Sequence, residues 1–433
     1  LQSGWHKSAV LEDIVQQNWK PWILALTFSE YMGRLLNLLK YQLFFSLNQE
    51  QRSKFLTADT YRAQLQVDDN TTLPFLFKVK DANTLEIYNA EEVITVDEIE
   101  YKNDSVFIQM PVFESYIKAK IQDQTLTGQY ITEGKDRSVP FTAAPSKTRF
   151  ETIAKPNTTI TGNWETTFSP NTDNSYKAKG IFTQNGNTVT GTFRTETGDY
   201  RYLDGVINGD QMQLSTFDGS HAFLFTATVT DSTLNGTFYS GNHWKEPFTA
   251  KRNDNFTLAN ANTLTYLKDG YETLAFTFPD ENGNLISLTD DRFKNKVVVV
   301  QIMGTWCPNC LDESNYYAQY YNNNKDKAIE FVALAFEYAK TEETAFKNIK
   351  RLKDRVGISY PILLAQTGTT SKSKANEKLP MLNHVLSYPT SIFIDKTGKV
   401  RKIHTGFNGP ATGEKFTEFK TEFTAFVDGL LEK

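Results

Sequence analysis

The first half of the chain carries an internal repeat, and this repeat constrains the fold more than any other feature. The segment 123–128 (DQTLTG) recurs 108 positions later as 231–236 (DSTLNG), and the segment 140–143 (PFTA) recurs 107 positions later as 247–250. A repeat at a nearly constant offset indicates that one structural unit is present twice. We therefore predict two related modules in tandem.

The repeated units have the rhythm of β-strands. Short alternating stretches such as FLFKVK and AFLFTATV are rich in Phe, Val and Thr, and Asn-Gly and Asp-Gly turn signals lie between them. We predict a multidomain chain with two tandem antiparallel β modules, each a barrel or a sandwich, over residues 56–150 and 158–253. Neither module contains a cysteine, and His221 and His243 are isolated in sequence. We therefore expect a scaffold or binding role for the modules, without a catalytic site.

The size and composition of the chain exclude several classes of protein. At 433 residues the chain exceeds the length over which one hydrophobic core keeps growing, so several domains are expected. A hydrophobic fraction of 39% and a charged fraction of 22% are typical of a globular protein. With a net charge of −5 the chain offers no basic field for a polyanion, and we expect no nucleic-acid partner.

The N-terminal segment 1–55 is left unassigned. Its apolar region 22–47 is interrupted by Glu30, Arg34 and Lys40, whereas a membrane-spanning helix needs about 20 mostly uncharged residues. Part of this region is similar to an altered secretion signal, but no small-residue cleavage site or lipid-attachment cysteine follows it. An amphipathic helix folded onto the body, a sequence-boundary artefact and an export or anchoring role all stay open.

After residue 253 the pattern changes to alternating strands and helices. The segment 297–303 (VVVVQIM) is a continuous apolar run, as in a strand that is buried on both faces of a sheet. A second such run is IEFVALAFE, and hairpins are expected across 281–284 and 396–398. Phenylalanines then repeat at helical spacing near the end of the chain, which is typical of a helix packed on a sheet. We predict an α/β domain over residues 262–433.

The only two cysteines of the chain, Cys307 and Cys310, lie three positions apart. Zinc sites use the same spacing but need about four ligands. The chain has no third cysteine and no histidines paired at ligand spacing, so we expect no metal. The pair follows a buried strand and opens a helix, whose N-terminus favours a thiolate over a thiol. We predict Cys307 as the nucleophile and Cys310 as the thiol that attacks the mixed disulfide, with an inert pair of core cysteines as the alternative.

The two residues between the cysteines fit this chemistry. Pro308 suits the first helical position, where a missing N–H costs little. Asn309 is neutral and adds no positive charge beside the thiolate. The attacking thiol is therefore expected to be only moderately acidic, which favours a reductant over a strong oxidant.

Three motifs taken together resemble one known family. They are the segment GTWCPNC, Glu313 three positions after the second cysteine, and the segment SYPTSIFIDKTGKV about 80 residues later. This combination is similar to the TlpA/ResA-like thiol-disulfide oxidoreductases. The resemblance covers residues 262–433 and implies a thioredoxin fold there.

The resemblance also assigns roles to individual residues. It implies that Pro389 is a cis-proline facing the cysteines and acts with them in catalysis. Tyr388 and Thr390 beside it, together with Trp306 and Pro308, would bind the substrate. A plain packing role is the alternative for Trp306. Tyr388 is bulky at the substrate-contact position, and we expect it to narrow the range of substrates.

By the same resemblance, Glu313 is the catalytic acidic residue that moves a proton when Cys310 changes state. The spacing is compatible, since three positions on a helix place both side chains on one face. The alternative is a solvated carboxylate. Many thioredoxins carry a buried acidic residue six positions before the first cysteine, where this chain has Gln301. A proton relay would therefore depend on Glu313 or on water.

These features together predict a thiol-disulfide oxidoreductase that reduces protein disulfides by dithiol exchange. The redox-active Cys307–Cys310 disulfide would serve without any other cofactor and without a metal. The expected partners are disulfide-containing client proteins and a thiol electron donor, with a membrane-embedded donor as one option.

The resemblance implies a location in the periplasm or cell envelope, with a missing or altered N-terminal signal as a route to a membrane anchor. The alternative function is a ligand-binding or redox-sensing envelope protein in which the thiol pair reports redox state. A peroxidase fits the intact pair less well than dithiol exchange does.

Overall fold

The structure describes residues 32–43 and 55–433 of the chain. It is a computed structural model with two compact units, one ending at Phe55 and one over Leu56–Lys433. In the first unit, residues 32–43 form helix α1. The rest of the N-terminal prediction lies outside the described residues. None of the described helices is long and apolar enough to cross a membrane.

The larger unit begins with a sheet of nine antiparallel strands. In chain order they are β1 (Thr60–Asp68), β2 (Thr71–Val79), β3 (Leu85–Asn89), β4 (Glu92–Val96), β5 (Glu98–Lys102), β6 (Ser105–Gln109), β7 (Ser115–Gln122), β8 (Thr125–Thr132) and β9 (Arg137–Pro145). Their order across the sheet is β4-β3-β2-β1-β9-β8-β7-β6-β5. The two edge strands, β4 and β5, are thus consecutive in the chain and are separated only by Asp97. The sheet is therefore nearly closed on itself.

A closed barrel of eight antiparallel strands follows. Its strands are β10 (Gly162–Phe168), β11 (Tyr176–Asn185), β12 (Thr188–Arg194), β13 (Leu203–Asn208), β14 (Gln211–Phe217), β15 (Ala222–Val229), β16 (Thr233–Ser240) and β17 (Trp244–Arg252). Eight strands enclose a space that side chains alone can fill. Here Trp164, Phe168, Phe193, Phe225 and Phe248 are among the side chains that fill it. The rings of Phe193 and Phe225 lie only 4.8 Å apart, so the interior is a packed core.

The two copies of the sequence repeat occupy equivalent places in the two sheets. Leu126 pairs with Ala143 in the first sheet, and Leu234 pairs with Ala250 in the barrel. Each DxTLxG copy ends in glycine because a side chain there would collide with the main chain of the preceding strand. Each sheet also lies inside the range proposed for its module.

The C-terminal part contains a five-stranded sheet with helices packed against it. The elements before this sheet are α2 (Ala261–Leu264), β18 (Thr277–Pro279) and β19 (Leu285–Ser287). The later elements are β20 (Val297–Met303), α3 (Pro308–Asn323), β21 (Ile329–Phe336), α4 (Glu342–Val356), β22 (Ile362–Gln366), α5 (Lys372–Lys378), β23 (Thr390–Ile394), β24 (Val400–Thr405) and α6 (Glu414–Leu431).

The strand order in this sheet is β22-β21-β20-β23-β24. Strands β20, β21 and β22 pair in parallel, whereas β23 and β24 are antiparallel to their neighbours. Strands β20 and β21 are buried along their whole length, and both expected hairpins are present, which confirms these predictions.

Helix α6 explains the repeated phenylalanines near the end of the chain. Phe419, Phe423, Val427 and Leu430 are its buried residues. The Phe423 ring packs against Phe393 of β23, with ring centres 5.7 Å apart. The apolar stripe thus covers the sheet, as the spacing predicted.

The long connection between β12 and β13 ties the barrel to the rest of the unit. Its Arg201 is almost fully buried and pairs with Glu92 of β4 (2.7 Å) and with Asp218 after β14 (3.4 Å). Arg201 also pairs with Asp312 of α3. Breaking a buried ion pair leaves an uncompensated charge, which costs about 3–5 kcal/mol. Arg201 therefore fixes the barrel against the helix that carries the second cysteine.

Candidate active site

The two cysteines lie where strand β20 ends and helix α3 begins. Cys307 is the N-cap residue of α3, and its Sγ accepts a hydrogen bond from the Cys310 N–H (3.2 Å). Pro308 is buried in the first turn of the helix, where its missing N–H costs little. Cys307 is 7% exposed and Cys310 is fully buried, so Cys307 is the less buried residue of the pair.

The surroundings of Cys310 disfavour its thiolate. Burial raises the pKa of the Cys310 thiol well above its ordinary value, and the interaction with Cys307 raises it further. Both thiols are free in the structure, as in the reduced form of the pair. A proton must therefore leave Cys310 before this residue can act as a nucleophile.

The loop before strand β23 lies against the cysteines. The peptide bond between Tyr388 and Pro389 is cis, and the Cys307 thiol donates to the Tyr388 carbonyl (3.5 Å). The Tyr388 ring packs edge-on against Trp306, with ring centres 5.6 Å apart. Thr390 is fully buried, and its hydroxyl donates to a main-chain carbonyl of the same loop (2.9 Å). The Thr390 side chain therefore stabilises the loop and does not face solvent.

Glu313 lies one turn after Cys310 and is fully buried, so its interpretation as a solvated carboxylate is wrong. Its Oε1 accepts hydrogen bonds from Ser391 Oγ (2.8 Å) and from the Tyr317 hydroxyl (3.2 Å). Its Oε2 accepts from Gln301 Nε2 (2.9 Å). Burial raises the pKa of Glu313 to about 7, although these hydrogen bonds act in the opposite direction. The carboxyl group can thus change its protonation state near neutral pH.

Gln301 connects Glu313 to the main chain of the second cysteine. Its Nε2 also donates to the Cys310 carbonyl (3.4 Å), and its Oε1 accepts from Ser314 Oγ (3.1 Å). An amide side chain neither gains nor loses a proton in this pH range. The titratable group behind the cysteine pair is therefore Glu313, while Gln301 holds its carboxylate in place.

The loop before the cysteines is fixed by a second buried carboxyl group, Glu337. Glu337 accepts hydrogen bonds from the Thr305 N–H (2.8 Å) and the Thr305 hydroxyl (2.7 Å). Burial raises the pKa of Glu337 to about 7. Trp306, which follows Thr305 in the chain, donates its indole N–H to the Phe336 carbonyl (3.0 Å). The packing role of Trp306 is thus observed, and its contact with a substrate stays a prediction.

The β modules contribute groups to the rim of the site that the sequence did not indicate. Ser220 of the barrel donates to the Trp306 carbonyl (2.9 Å), and Asn309 Nδ2 donates to the Asp199 carbonyl (3.3 Å). The Lys135 ammonium, between β8 and β9, lies 5.6 Å from the centre of the Trp306 ring. These contacts join residues far apart in the chain, so no local pattern predicts them.

Two lysines also lie near the nucleophile, Lys135 between β8 and β9 and Lys372 at the start of α5. Lys135 and Lys372 both interact electrostatically with Cys307. Burial lowers the pKa of Lys135 to about 8 and also lowers the pKa of Lys372. Positive charge near Cys307 therefore comes from these two lysines, while Asn309 itself adds none.

Within residues 32–43 and 55–433, no group of three or more His, Cys, Asp or Glu side chains is placed to hold a metal ion. Besides the two thiols, the site contains carboxyl and ammonium groups. All of these groups can gain or lose protons. As a dithiol the pair holds two electrons, which it gives up when the disulfide forms, and the neighbouring carboxyl group can take up an accompanying proton.

Known proteins resemble the C-terminal part of the chain. The Redoxin family model matches residues 268–420. The thiol-disulfide oxidoreductase ResA of Bacillus thuringiensis subsp. konkukian (strain 97-27) is 31% identical over 155 residues, which cover 36% of this chain and 78% of that protein. ResA of Bacillus subtilis (strain 168) is 27% identical over 140 residues, which cover 32% of this chain and 69% of that protein.

A solved structure of a thiol-disulfide oxidoreductase from Bacteroides fragilis NCTC 9343 is 22% identical, with a TM-score of 0.26. This match covers 34% of the present chain and 99% of the other. The region matched by the Redoxin model contains both cysteines, Glu313 and the cis-proline loop. The chain therefore belongs to the TlpA/ResA-like family of thioredoxin-fold thiol-disulfide oxidoreductases, and it is an oxidoreductase that acts on sulfur groups.

Proposed function

We propose that this protein reduces disulfides in client proteins by dithiol exchange through Cys307 and Cys310. One observation carries the proposal. Cys307 stands at the N-terminus of α3 and is the less buried cysteine, while Cys310 and Glu313 are fully buried behind it. The arrangement combines a nucleophile, a protected resolving thiol and a titratable carboxyl group.

The first step is attack of the Cys307 thiolate on one sulfur of the client disulfide. The client S–S bond breaks, a Cys307–client disulfide forms, and the other client sulfur leaves as a thiolate that takes up a proton from solvent. The N–H groups at the start of α3, including that of Cys310, stabilise the negative charge on Cys307 before the attack.

In the second step Cys310 loses its proton to Glu313 and attacks the Cys307 sulfur. The Cys307–client bond breaks, the Cys307–Cys310 disulfide forms, and the second client sulfur leaves as a thiolate that takes up a proton, so that both client sulfurs are reduced. The pair has then given up two electrons. A thiol electron donor, which a membrane-embedded protein would supply, restores the dithiol.

We assign this activity to the periplasm or cell envelope, where disulfides in client proteins form and persist. The chain has no cysteine besides the active pair. Such a chain offers no third thiol with which its own active site could form a wrong disulfide in an oxidising compartment.

Turnover distinguishes this function from redox sensing or ligand binding. With dithiothreitol as donor, the purified protein should reduce the disulfides of insulin over many cycles. The double variant Cys307→Ser/Cys310→Ser should be no faster than dithiothreitol alone. A single reversible oxidation without turnover would support the sensor instead, and activity surviving in the double variant would contradict the proposal.

A further inference from the structure

A small cavity lies where the first sheet meets the barrel, next to the active-site tryptophan. Its volume is about 30 Å³, and Lys135 and Arg137 line it from the first sheet while Ser220 and His243 line it from the barrel. Two contacts connect it to the active site. The Lys135 ammonium lies over the Trp306 ring, and Ser220 donates to the Trp306 carbonyl (2.9 Å).

The cavity holds positive charge that lacks a counter-ion. Among the described residues, no carboxylate lies within ion-pair distance of Lys135 or Arg137. Asp218 acts on Lys135 through its charge, but its carboxylate already pairs with Arg201 (3.4 Å) and lies 3.3 Å from His221. Two cations therefore share a partly buried space without an acidic partner.

His243 does not add a third charge to the cavity. Burial, together with the charge of Arg137, lowers the pKa of His243 to about 4. The neutral ring accepts a hydrogen bond from Arg137 Nη1 at its Nε2 (2.9 Å). The ring thus orients the Arg137 guanidinium, whose other N–H groups are available to a ligand.

We propose that this cavity binds a carboxylate of the client, carried by an acidic residue next to the cysteine that Cys307 attacks. This inference rests on the proposed function and names the class of client that the protein prefers. A cavity of about 30 Å³ has room for a small polar group such as a carboxylate head. Arginine and lysine supply the charge-assisted hydrogen bonds that a carboxylate prefers.

The location explains why the acidic residue should lie next to the client cysteine. Lys135 is 5.6 Å from the Trp306 ring, and Trp306 directly precedes Cys307 in the chain. A client strand that crosses Cys307 would thus carry its neighbouring side chain towards Lys135 and Arg137. The chain as a whole has a net charge of −5, so overall electrostatic attraction would not produce this preference.

Two disulfide-bonded peptides that differ only beside the cysteine, glutamate in one and glutamine in the other, test the proposal. The wild-type protein should reduce the glutamate peptide with a kcat/KM about ten-fold higher, and high salt should weaken this preference. Lys135→Gln and Arg137→Gln should each bring the ratio close to one. The ratio isolates recognition, because any effect of the Lys135 substitution on the chemical step at Cys307 applies to both peptides equally.

Lys120→Gln is the matched control, since Lys120 is an exposed lysine of the same sheet that pairs only with Asp104 (3.6 Å). This variant should keep the ten-fold preference. Binding of the two reduced peptides to the double variant Cys307→Ser/Cys310→Ser gives the same ratio without turnover, so a failure of the proposed function does not hide the result. Equal binding of both peptides, or a preference that survives in both Lys135→Gln and Arg137→Gln, would overturn the proposal.

Discussion

The Cys310→Ser variant should accumulate as a covalent complex with its client, whereas the Cys307→Ser variant should form none. Cys307 is the less buried cysteine of the pair, and its Sγ already accepts a hydrogen bond from the Cys310 N–H (3.2 Å). It can therefore open the client disulfide without the second cysteine. Release needs the Cys310 sulfur, which is fully buried beside it. Without this sulfur the mixed disulfide has no internal nucleophile to resolve it.

Both single variants should lose turnover by at least about 10³-fold, because the two cysteines act in successive steps of one reaction. Non-reducing gels and intact-mass spectra of each variant, incubated with oxidised insulin, separate the two outcomes. The Cys310→Ser variant should gain the mass of one insulin molecule, whose chains stay joined by the remaining disulfide, and lose it on treatment with dithiothreitol. A stable complex in the Cys307→Ser variant, and none in the Cys310→Ser variant, would reverse the assigned roles.

The second large effect concerns Glu313 and the pH dependence of client release. Burial holds the pKa of Glu313 at about 7, above its ordinary value of 4.5. Its carboxylate can therefore accept the Cys310 proton above pH 7 but not well below it. Glu313→Gln should slow resolution of the mixed disulfide by about 10²-fold above pH 7. The difference should shrink below pH 6, where the wild-type group is protonated as well.

Rapid mixing of the reduced protein with a client disulfide, repeated between pH 5.5 and pH 8.5, measures this step. The wild-type rate should rise through about pH 7. The Glu313→Gln rate should lack that rise. A rise of the same size and midpoint in both proteins would show that another group, such as a bound water, accepts the proton.

The raised pKa of Glu313 has the opposite effect on stability, which should fall as pH rises while the rate of client release increases. Between pH 4.5 and about 7 the folded state keeps a proton on Glu313 that the unfolded state has lost. Stability should therefore fall as pH rises across this window, by about 1.4 kcal/mol per unit of pKa shift and about 3 kcal/mol in all. Glu313→Gln should remove this part of the pH dependence in urea unfolding. Burial also raises the pKa of Glu337 to about 7. The pH dependence of stability that is due to Glu337 should therefore remain.

Local patterns were sufficient to predict the elements that carry the chemistry. The apolar run before Cys307, the proline at the first helical position and the stripe containing Phe423 each depend on residues close together in sequence. The TlpA/ResA-like resemblance, which came from such short motifs, is confirmed. The internal repeat could also be recognised from the sequence. The Leu126–Ala143 pair and its counterpart in the barrel occupy equivalent positions and require the same local sequence.

The environment of the site could not be predicted in the same way. Helical spacing placed Glu313 near Cys310, but its burial depends on Ser391, which lies 78 positions further along the chain. Lys135 reaches Trp306 only because the first sheet packs beside the C-terminal sheet. The number of strands, nine in one module and eight in the other, also depends on how each sheet closes. These are properties of tertiary packing, and no short motif encodes them.

The reduction potential of the Cys307–Cys310 pair tests the central claim most directly. Neutral Asn309 adds no positive charge between the two cysteines, which favours a reductant. Equilibration with dithiothreitol and glutathione buffers, followed by alkylation of free thiols and mass spectrometry, gives the potential. For a protein-disulfide reductase we expect a value at or below about −250 mV. A value at or above about −180 mV would contradict the account, because the pair would then oxidise its clients.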